Sequence, residues 1–342
     1  MPRFNRTRPF GVAKLKIPMK PKILHLIGDK RAGGSNRLVK QLVKSKLRES
    51  FDFLVLRLEE AKPQFKNLKP DIIIFHYPCA WKYLLDLFLI KKYSKVFIYD
   101  HHYCEGFERE QVPSLFRFHL MLRLAYSLVD GVLCVSQAQH QWMLARRLVS
   151  PEKVRVISPA SAMDEMLKIP SKMPSCPLII GAYGRFARQK GFDLLLKAFA
   201  LLPPEQFQLH LGGYGPDEEQ IKALARELPH VKLLGTITDV PAFLAACDAI
   251  AIPSRWEPWG LTCLEAKAAG KPVIAAAVDG LCEQVRDCGV LVPANDVEKL
   301  ANAIASLPKQ NLEAWGKTGR NLVINAWEEF CDRTQEFFIW VR

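Results

Sequence analysis

Glu257 and Glu265 stand seven residues apart in Pro253-Ser-Arg-Trp-Glu-Pro-Trp-Gly-Leu-Thr-Cys-Leu-Glu-Ala-Lys-Ala-Ala-Gly-Lys-Pro-Val-Ile274. A strand ending near Ile252, a loop and then a helix would put Glu257 before the helix and Glu265 one to two turns inside it. Both carboxylates then face one elongated ligand from the same end of the element. Between them Pro258-Trp259-Gly260-Leu261 falls at the helix start, where the amides of Trp259, Gly260 and Leu261 are free to meet hydroxyl or phosphate oxygens. A second group lies upstream, in Gly184-Arg-Phe-Ala-Arg-Gln-Lys-Gly191. Glycines let the backbone approach a ligand closely, a helix start favours negative charge, and Arg185 and Lys190 can neutralise a diphosphate. Taken singly, each feature reads equally well as solvated charge: Arg185, Arg188 and Lys190 on a loop, Glu265 on a helix surface.

Such residues need elements to hold them. Short apolar runs rich in Val and Ile alternate with helical patterns along most of the chain, which predicts a parallel sheet covered by helices and an α/β class. Strands are expected at residues 23–27, 53–56, 71–75, 96–99, 131–135 and 154–157, then at 178–182, 208–212, 231–234, 249–252, 273–276 and 289–291. Asp130-Gly-Val-Leu-Cys-Val-Ser136 is echoed by Asp248-Ala-Ile-Ala-Ile-Pro-Ser254, so the halves resemble each other. Pro159, Pro170, Pro174 and Pro177 interrupt regular structure between them, as a linker of fixed φ angles would. The expected division is a basic arm over residues 1–20, one Rossmann-like domain over 21–165, a linker over 166–177 and a second Rossmann-like domain over 178–320. A helix over 321–342, carrying Trp327, Phe330, Phe337, Phe338 and Trp340, is expected to pack as core on the first domain, with a membrane-facing aromatic edge as the alternative. Ligands of doubly wound sheets bind outside the carboxyl ends of the strands, so the chemistry belongs in the cleft between the domains.

Composition narrows the partners. The chain of 342 residues carries a net charge of +13, and residues 1–50 hold 14 Lys and Arg against Asp29 and Glu49. That basic end suits a polyanion. Its lysines are not interleaved with aromatic residues as in a surface that stacks bases, so an anionic membrane surface is expected and nucleic acid is not. No apolar run approaches the roughly 20 residues that cross a bilayer, and the N-terminal charges precede no apolar core of a secretory signal. A cytoplasmic protein, peripheral on the inner face of the membrane, is the expectation. The nine cysteines are scattered singly with no Cys-x-x-Cys pair, which predicts reduced, mostly buried thiols and no zinc site.

With these residues in place, the Glu257–Glu265 segment resembles the Glu-x7-Glu signature of family 4 retaining glycosyltransferases, which have the GT-B fold. The resemblance extends in order over residues 178–305: Gly184 to Gly191 is similar to the family's Gly-Arg-x4-Lys-Gly loop, Gly213-Tyr-Gly-Pro216 to its Gly-x-Gly-Pro turn, and Leu234-Gly-Thr-Ile-Thr-Asp239 and residues 266–275 follow. It implies a nucleoside-diphosphate sugar donor, gripped at its diphosphate by Arg185 and Lys190, at its ribose by Glu265 and at its transferred sugar by Glu257. The backbone at Trp259, Gly260 and Leu261 would meet sugar or phosphate oxygens, and Ile237 would lie against the base. Family frequency favours a UDP-sugar, with a GDP-sugar open. The family needs no metal and no cofactor, in keeping with the missing Asp-x-Asp motif.

The first half matches less tightly. Gly33-Gly34 resembles the family's first glycine loop, with a helix expected from near Ser35 and with Arg31 and Arg37 beside it. Asp100-His101-His102 stands where the family places a sugar-contacting His, a role assigned to His101 and open to His102. Glu105 and Glu108 read either as acceptor contacts or as loop charges. The implied reaction moves a glycosyl group with retention to a glycan or lipid-linked acceptor. The rival readings are another GT-B enzyme, such as an epimerase or phosphorylase, and a noncatalytic polyanion binder. Residues 115–129, with Arg117 and Arg123 among Leu, Phe and Met, read either as a core helix or as one that docks on a membrane.

Overall fold

The computed structural model describes residues 20–28 and 34–342. Gly33, Arg31 and the basic arm short of Lys20 lie outside the described residues. Among the described residues twelve strands form two six-stranded sheets. The first is built from β1 (Lys22–Leu26), β2 (Asp52–Leu56), β3 (Ile72–Phe75), β4 (Lys95–Asp100), β5 (Gly131–Cys134) and β6 (Val154–Val156), in the order β2-β1-β3-β4-β5-β6. The second holds β7 (Leu178–Arg185), β8 (Phe207–Tyr214), β9 (Val231–Gly235), β10 (Ala249–Ile252), β11 (Val273–Ala276) and β12 (Gly289–Val292), in the order β12-β11-β10-β7-β8-β9. Every neighbouring pair is parallel. Both sheets are doubly wound, and the two together make the GT-B architecture of two Rossmann-like domains expected from the sequence.

Burial on both faces explains why central strands are continuous apolar runs: Ile72, Ile73, Ile74 and Phe75 are all buried. The repeated aspartates have a structural reason. Asp130 Oδ2 accepts from the amide of Val96 at 2.7 Å and Asp248 Oδ2 from that of Ile179 at 2.8 Å. Each Asp also donates its own amide back to the carbonyl of the same residue, at 2.8 Å. The pair of bonds aligns the start of one strand with the end of a helix. Asp71 does the same for Lys22, which begins β1. The serines of the echo diverge, because Ser136 caps a helix through Gln139 N whereas Ser254 Oγ reaches Glu257 Oε2 at 3.4 Å.

The helices that matter below are α1 (Gly34–Leu42), α2 (Leu84–Ile90), α3 (Glu105–Gln111), α4 (Leu115–Ser127), α5 (Gln137–Ala145), α6 (Phe192–Phe199), α7 (Leu261–Ala268) and α8 (Ala326–Trp340). Helix α8 returns to the first sheet. Phe338 packs edge-on to Phe51 at 5.3 Å, Phe337 meets Phe97 at 4.9 Å, and Lys95 Nζ donates to the Val341 carbonyl at 2.6 Å. One of its aromatics departs from the expected core role: Trp340 is exposed, with the Arg155 guanidinium 5.0 Å above its ring. With Ile339 it lies on the face turned away from the sheet, while Phe337, Phe338 and Val341 on the other face are buried. Seven of the nine cysteines are buried and all are free thiols. Among the described residues no helix is long and apolar enough to cross a membrane.

Candidate functional site

Strand order locates the site. The second sheet reverses direction of winding between β7 and β10, which are neighbours, and the crevice at such a switch point receives ligands. The loop after β7 carries Lys190 and the loop after β10 carries Glu257. They meet, as Lys190 Nζ bonds Glu257 Oε2. Gly191 turns the chain from the Lys190 loop into α6 at φ +65°, where a Cβ would fall 2.1 Å from the Pro253 carbonyl oxygen. No larger residue fits between the two loops. Arg255 fastens them: its guanidinium grips Asp193 at 2.8 and 2.7 Å and donates to Arg188 O, while its amide donates to Gln189 O at 2.7 Å. Sequence reasoning passed over Arg255, although its place inside the glutamate segment was visible.

Helix α7 begins where expected. Gly260 precedes it at φ +97° with no side-chain cap, so the first amides of the helix keep their donors. A Cβ on Gly260 would come 3.2 Å from Glu257 Cγ and 2.9 Å from Leu281 Cδ2. Glu265 lies one turn in and is buried. One of its oxygens bonds Arg37 of α1 and the other accepts from the Tyr183 hydroxyl. Burial and the Glu265 charge push the Tyr183 phenol well above its ordinary range, so it stays a donor. Arg37 therefore reaches from the first domain to a glutamate of the second, and its Nη2 also contacts Ser161 Oγ at 3.3 Å. Beside it a Cβ on Gly34 would lie 3.2 Å from Leu261 Cδ1, so the starts of α1 and α7 face one another across the cleft. Trp259 Nε1 donates to the Pro159 carbonyl at 2.7 Å, and Ile237 lies against Gly212 at the far end of β8.

Arg185 is exposed at the end of β7 and has no ion pair among the described residues. It is not brought to Glu257 or Glu265 by any bond. The family-suggested residues thus form one group around the start of α7, comprising Lys190, Glu257, Trp259, Gly260, Leu261 and Glu265 with Gly34 opposite. Arg185 and Ile237 flank it on the edge toward β8.

From the first sheet, β3 and β4 end on a row of histidines. His25 Nδ1 and His76 Nε2 are 2.9 Å apart, and His76 Nδ1 and His101 Nε2 are 3.1 Å apart. The Tyr99 ring lies against His101, tilted by 39°, with ring centroids 4.1 Å apart. Burial holds His25 and His101 each down at about 3, and burial with the neighbouring histidines holds His76 well below 6.5. The row is neutral, so each link has one donor and one acceptor. His25 ends it beside a cavity of about 10 Å³ lined by Leu38, Ile74, Thr334 and Phe338, with no partner for its Nε2 among the described residues. His102 instead donates its amide to Asp100 Oδ1 at 2.8 Å and places Nε2 3.2 Å from the His76 carbonyl. His25 and His76 were not foreseen, because nothing in the sequence places residues 25, 76 and 101 side by side.

Glu108 corrects the notion of an acceptor carboxylate. It is buried, with Oε2 bonded to His119 and Trp142 Nε1 at 2.8 and 2.9 Å and Oε1 paired to Arg146 at 3.0 Å. Those bonds tie α3, α4 and α5 together and leave nothing for a substrate. Asp279 is the opposite case, unforeseen and central. Its Oδ1 accepts from Gly106 N at 3.0 Å, and its Oδ2 from Glu257 N at 3.1 Å and from Cys104 Sγ at 3.2 Å. Gly106 permits the approach, since a Cβ there would lie 2.6 Å from Asp279 Oδ2 and 2.7 Å from Trp256 Cβ. Among the described residues no group of three His, Cys, Asp or Glu side chains could hold a metal ion.

Comparison with known proteins agrees with this geometry. Residues 28–161 match the Glycosyltransferase Family 4 model and residues 165–323 match Glycosyl transferases group 1. The chain is 31% identical over 185 residues to the D-inositol 3-phosphate glycosyltransferase of Mycolicibacterium paratuberculosis, covering 48% of this chain and 42% of that relative. The chain therefore spans less than half the length of the curated relative it matches. Its fold is similar to sucrose-phosphate synthase of Thermosynechococcus elongatus, with TM-score 0.80 and 23% identity, covering 94% of this chain and 99% of the other. It is also similar to Anabaena HepE, solved with UDP and glucose, with TM-score 0.74, 20% identity and coverage of 93% and 99%. With one family model on each sheet and the two-sheet architecture shared with these structures, the chain has the GT-B fold and is related, half by half, to the Glycosyltransferase Family 4 and Glycosyl transferases group 1 families.

Proposed function

We propose that the chain transfers a sugar from a nucleoside-diphosphate donor to an acceptor hydroxyl with retention of configuration. The observation that carries this reading is the convergence of Lys190, Glu257, Glu265 and the uncapped start of α7 at the switch point of the second sheet. In it, Lys190 and Arg185 hold the diphosphate, assisted by the α7 amides and by the backbone of Gly33 and Gly34. Glu265 takes the ribose hydroxyls, Ile237 borders the base, and Glu257 with His101 orders the transferred sugar. A donor exchanges the Lys190–Glu257 and Arg37–Glu265 pairs for its own oxygens. As the bond from the anomeric carbon to phosphate breaks, its electrons leave with the diphosphate and the cations stabilise that charge. The acceptor oxygen bonds the same carbon, and its proton passes to the departing phosphate oxygen. Positioning on one face of the sugar suffices, so Glu257 need not become a covalent nucleophile.

A UDP-sugar is the preferred donor, supported by the UDP held in the Anabaena HepE structure. The division of labour follows the sheets, with residues 21–165 on the acceptor side, residues 166–177 as linker, residues 178–320 on the donor side and residues 321–342 bracing the first domain. The acceptor is a glycan or lipid-linked glycan at the cytoplasmic face of a membrane, a reading supported by the basic first 50 residues. The test is transfer by Glu257→Ala: activity is expected to vanish while circular dichroism and UDP binding persist, and full activity in that variant would overturn the assignment.

A further inference from the structure

Helices α2 and α4 pack side by side on the outside of the first sheet, and both turn apolar side chains outward. Leu85 and Phe88 of α2 and Phe116, Leu120 and Leu124 of α4 are all exposed, Phe116 by 76% and Leu85 by 67%. Helix α4 has a buried side of its own in Met121, Leu122, Ala125 and Tyr126. The outward apolar residues are therefore additional to what the core requires, and neighbouring large apolar groups on a surface mark an interaction site.

Charge says what covers it. Residues 81–95 carry Lys82, Lys91, Lys92 and Lys95 against Asp86 alone, and residues 112–129 carry Arg117 and Arg123 with no acidic residue. Asp86 is already paired with Lys62 at 2.7 Å. Lys82, Lys92 and Arg117 have no ion pair among the described residues, and Lys92 Nζ stands 5.1 Å over the Phe88 ring. Apolar tips set among unpaired cations suit a lipid bilayer with anionic headgroups: acyl chains receive the Leu and Phe side chains while the cations stay at the phosphates. A second copy would bring the same positive charge against itself.

The surface leads to the reacting centre. Phe118 of α4 meets Phe107 of α3 with centroids 5.9 Å apart, and Phe107 meets Trp256, again at 5.9 Å, one residue before Glu257. We propose that the α2–α4 face docks on an anionic phospholipid bilayer and thereby presents the acceptor side of the cleft to a lipid-borne acceptor. Docking stands on the surface alone; its link to an acceptor rests on the transferase reading above.

Flotation of the full chain with phosphatidylcholine vesicles, with and without phosphatidylglycerol, tests it. Binding to the anionic vesicles only, weakening with salt, is expected. Phe116→Asp with Leu120→Asp should abolish it, and Arg117→Glu, which moves the local charge by two, should weaken it by roughly 30-fold. UDP affinity in these variants should stay unchanged. Neutralising Arg3, Arg6, Arg8, Lys14 and Lys16 in the N-terminal arm should leave vesicle binding in place. Equal binding to neutral vesicles, no binding to either, loss of binding through the arm alone, or a dimer that buries Phe116 would each overturn the proposal. Loss of UDP binding with vesicle binding intact would instead count against the transferase reading.

Discussion

Replacing Asp279 by Asn tests whether the two domains and the sugar-side glutamate are held by one carboxylate. Asn is the informative choice because residue 279 has φ +38°, a left-handed conformation that Asn tolerates, so backbone strain is not added. The carboxylate accepts from Gly106 N, Glu257 N and Cys104 Sγ at 3.0, 3.1 and 3.2 Å. Asn keeps one acceptor oxygen and turns an NH2 toward groups that are themselves donors, so at least one amide bond at Oδ2 or Oδ1 is lost. A hydrogen bond to a charged group contributes about 1.5–3 kcal/mol. Asp279 is half-buried, which places the loss near the lower end, at about 2 kcal/mol. If that falls on the placement of Glu257, kcat/KM for transfer drops by roughly 30-fold. UDP affinity, measured by titration calorimetry, should hold, because Lys190, Glu265 and Arg185 are untouched. Undiminished kcat/KM, or a loss explained wholly by weaker UDP binding, would refute this role for Asp279.

Glu265→Gln removes the charge facing Arg37 and Tyr183 while keeping the shape; UDP binding should weaken by about tenfold, which is roughly 1.4 kcal/mol, and unaltered calorimetric affinity would remove Glu265 from the ribose site. The histidine row makes stability depend on pH. His25 is lowered from 6.5 to about 3 in the folded chain, so its contribution is complete above the unfolded value of 6.5 and is lost as pH falls toward 3. His25→Gln takes one proton out of that linkage, and urea unfolding in acid should show a slope shallower than wild type by about 1.4 kcal/mol per pH unit. Identical slopes would mean that His25 is protonated in the folded state.

The central strands were legible because they are buried on both faces and so write themselves as apolar runs; β10 and β11 fall on the expected residues, and the others shift by a few at their ends. The longest error is at β7 and β8, which continue to Arg185 and Tyr214. Glycines there break the apolar pattern, yet Gly184 and Gly213 pair in register as strand residues. Glu108 was misjudged for a different reason: a carboxylate near a loop looks solvated until His119, Trp142 and Arg146 arrive from two other helices. The core reading of α4 holds for Met121, Leu122, Ala125 and Tyr126, which are buried, whereas Phe116, Leu120 and Leu124 of the same helix face outward.

What the sequence determined by itself was whatever depends on neighbours along the chain: the α/β alternation, the glycine turn at Gly191, the glutamate spacing across the start of α7, and the resemblance these carry. What only the tertiary structure decided was whatever depends on residues far apart in the chain meeting in space. Arg37 meets Glu265 across 228 positions, Gly106 meets Asp279 across 173, and His25, His76 and His101 fall into line at the ends of adjacent strands. Helical and strand periodicities are local and survive in one dimension. The order β2-β1-β3-β4 and the closure of one sheet on the other have no local signature, and they alone convert isolated loop charges into a site.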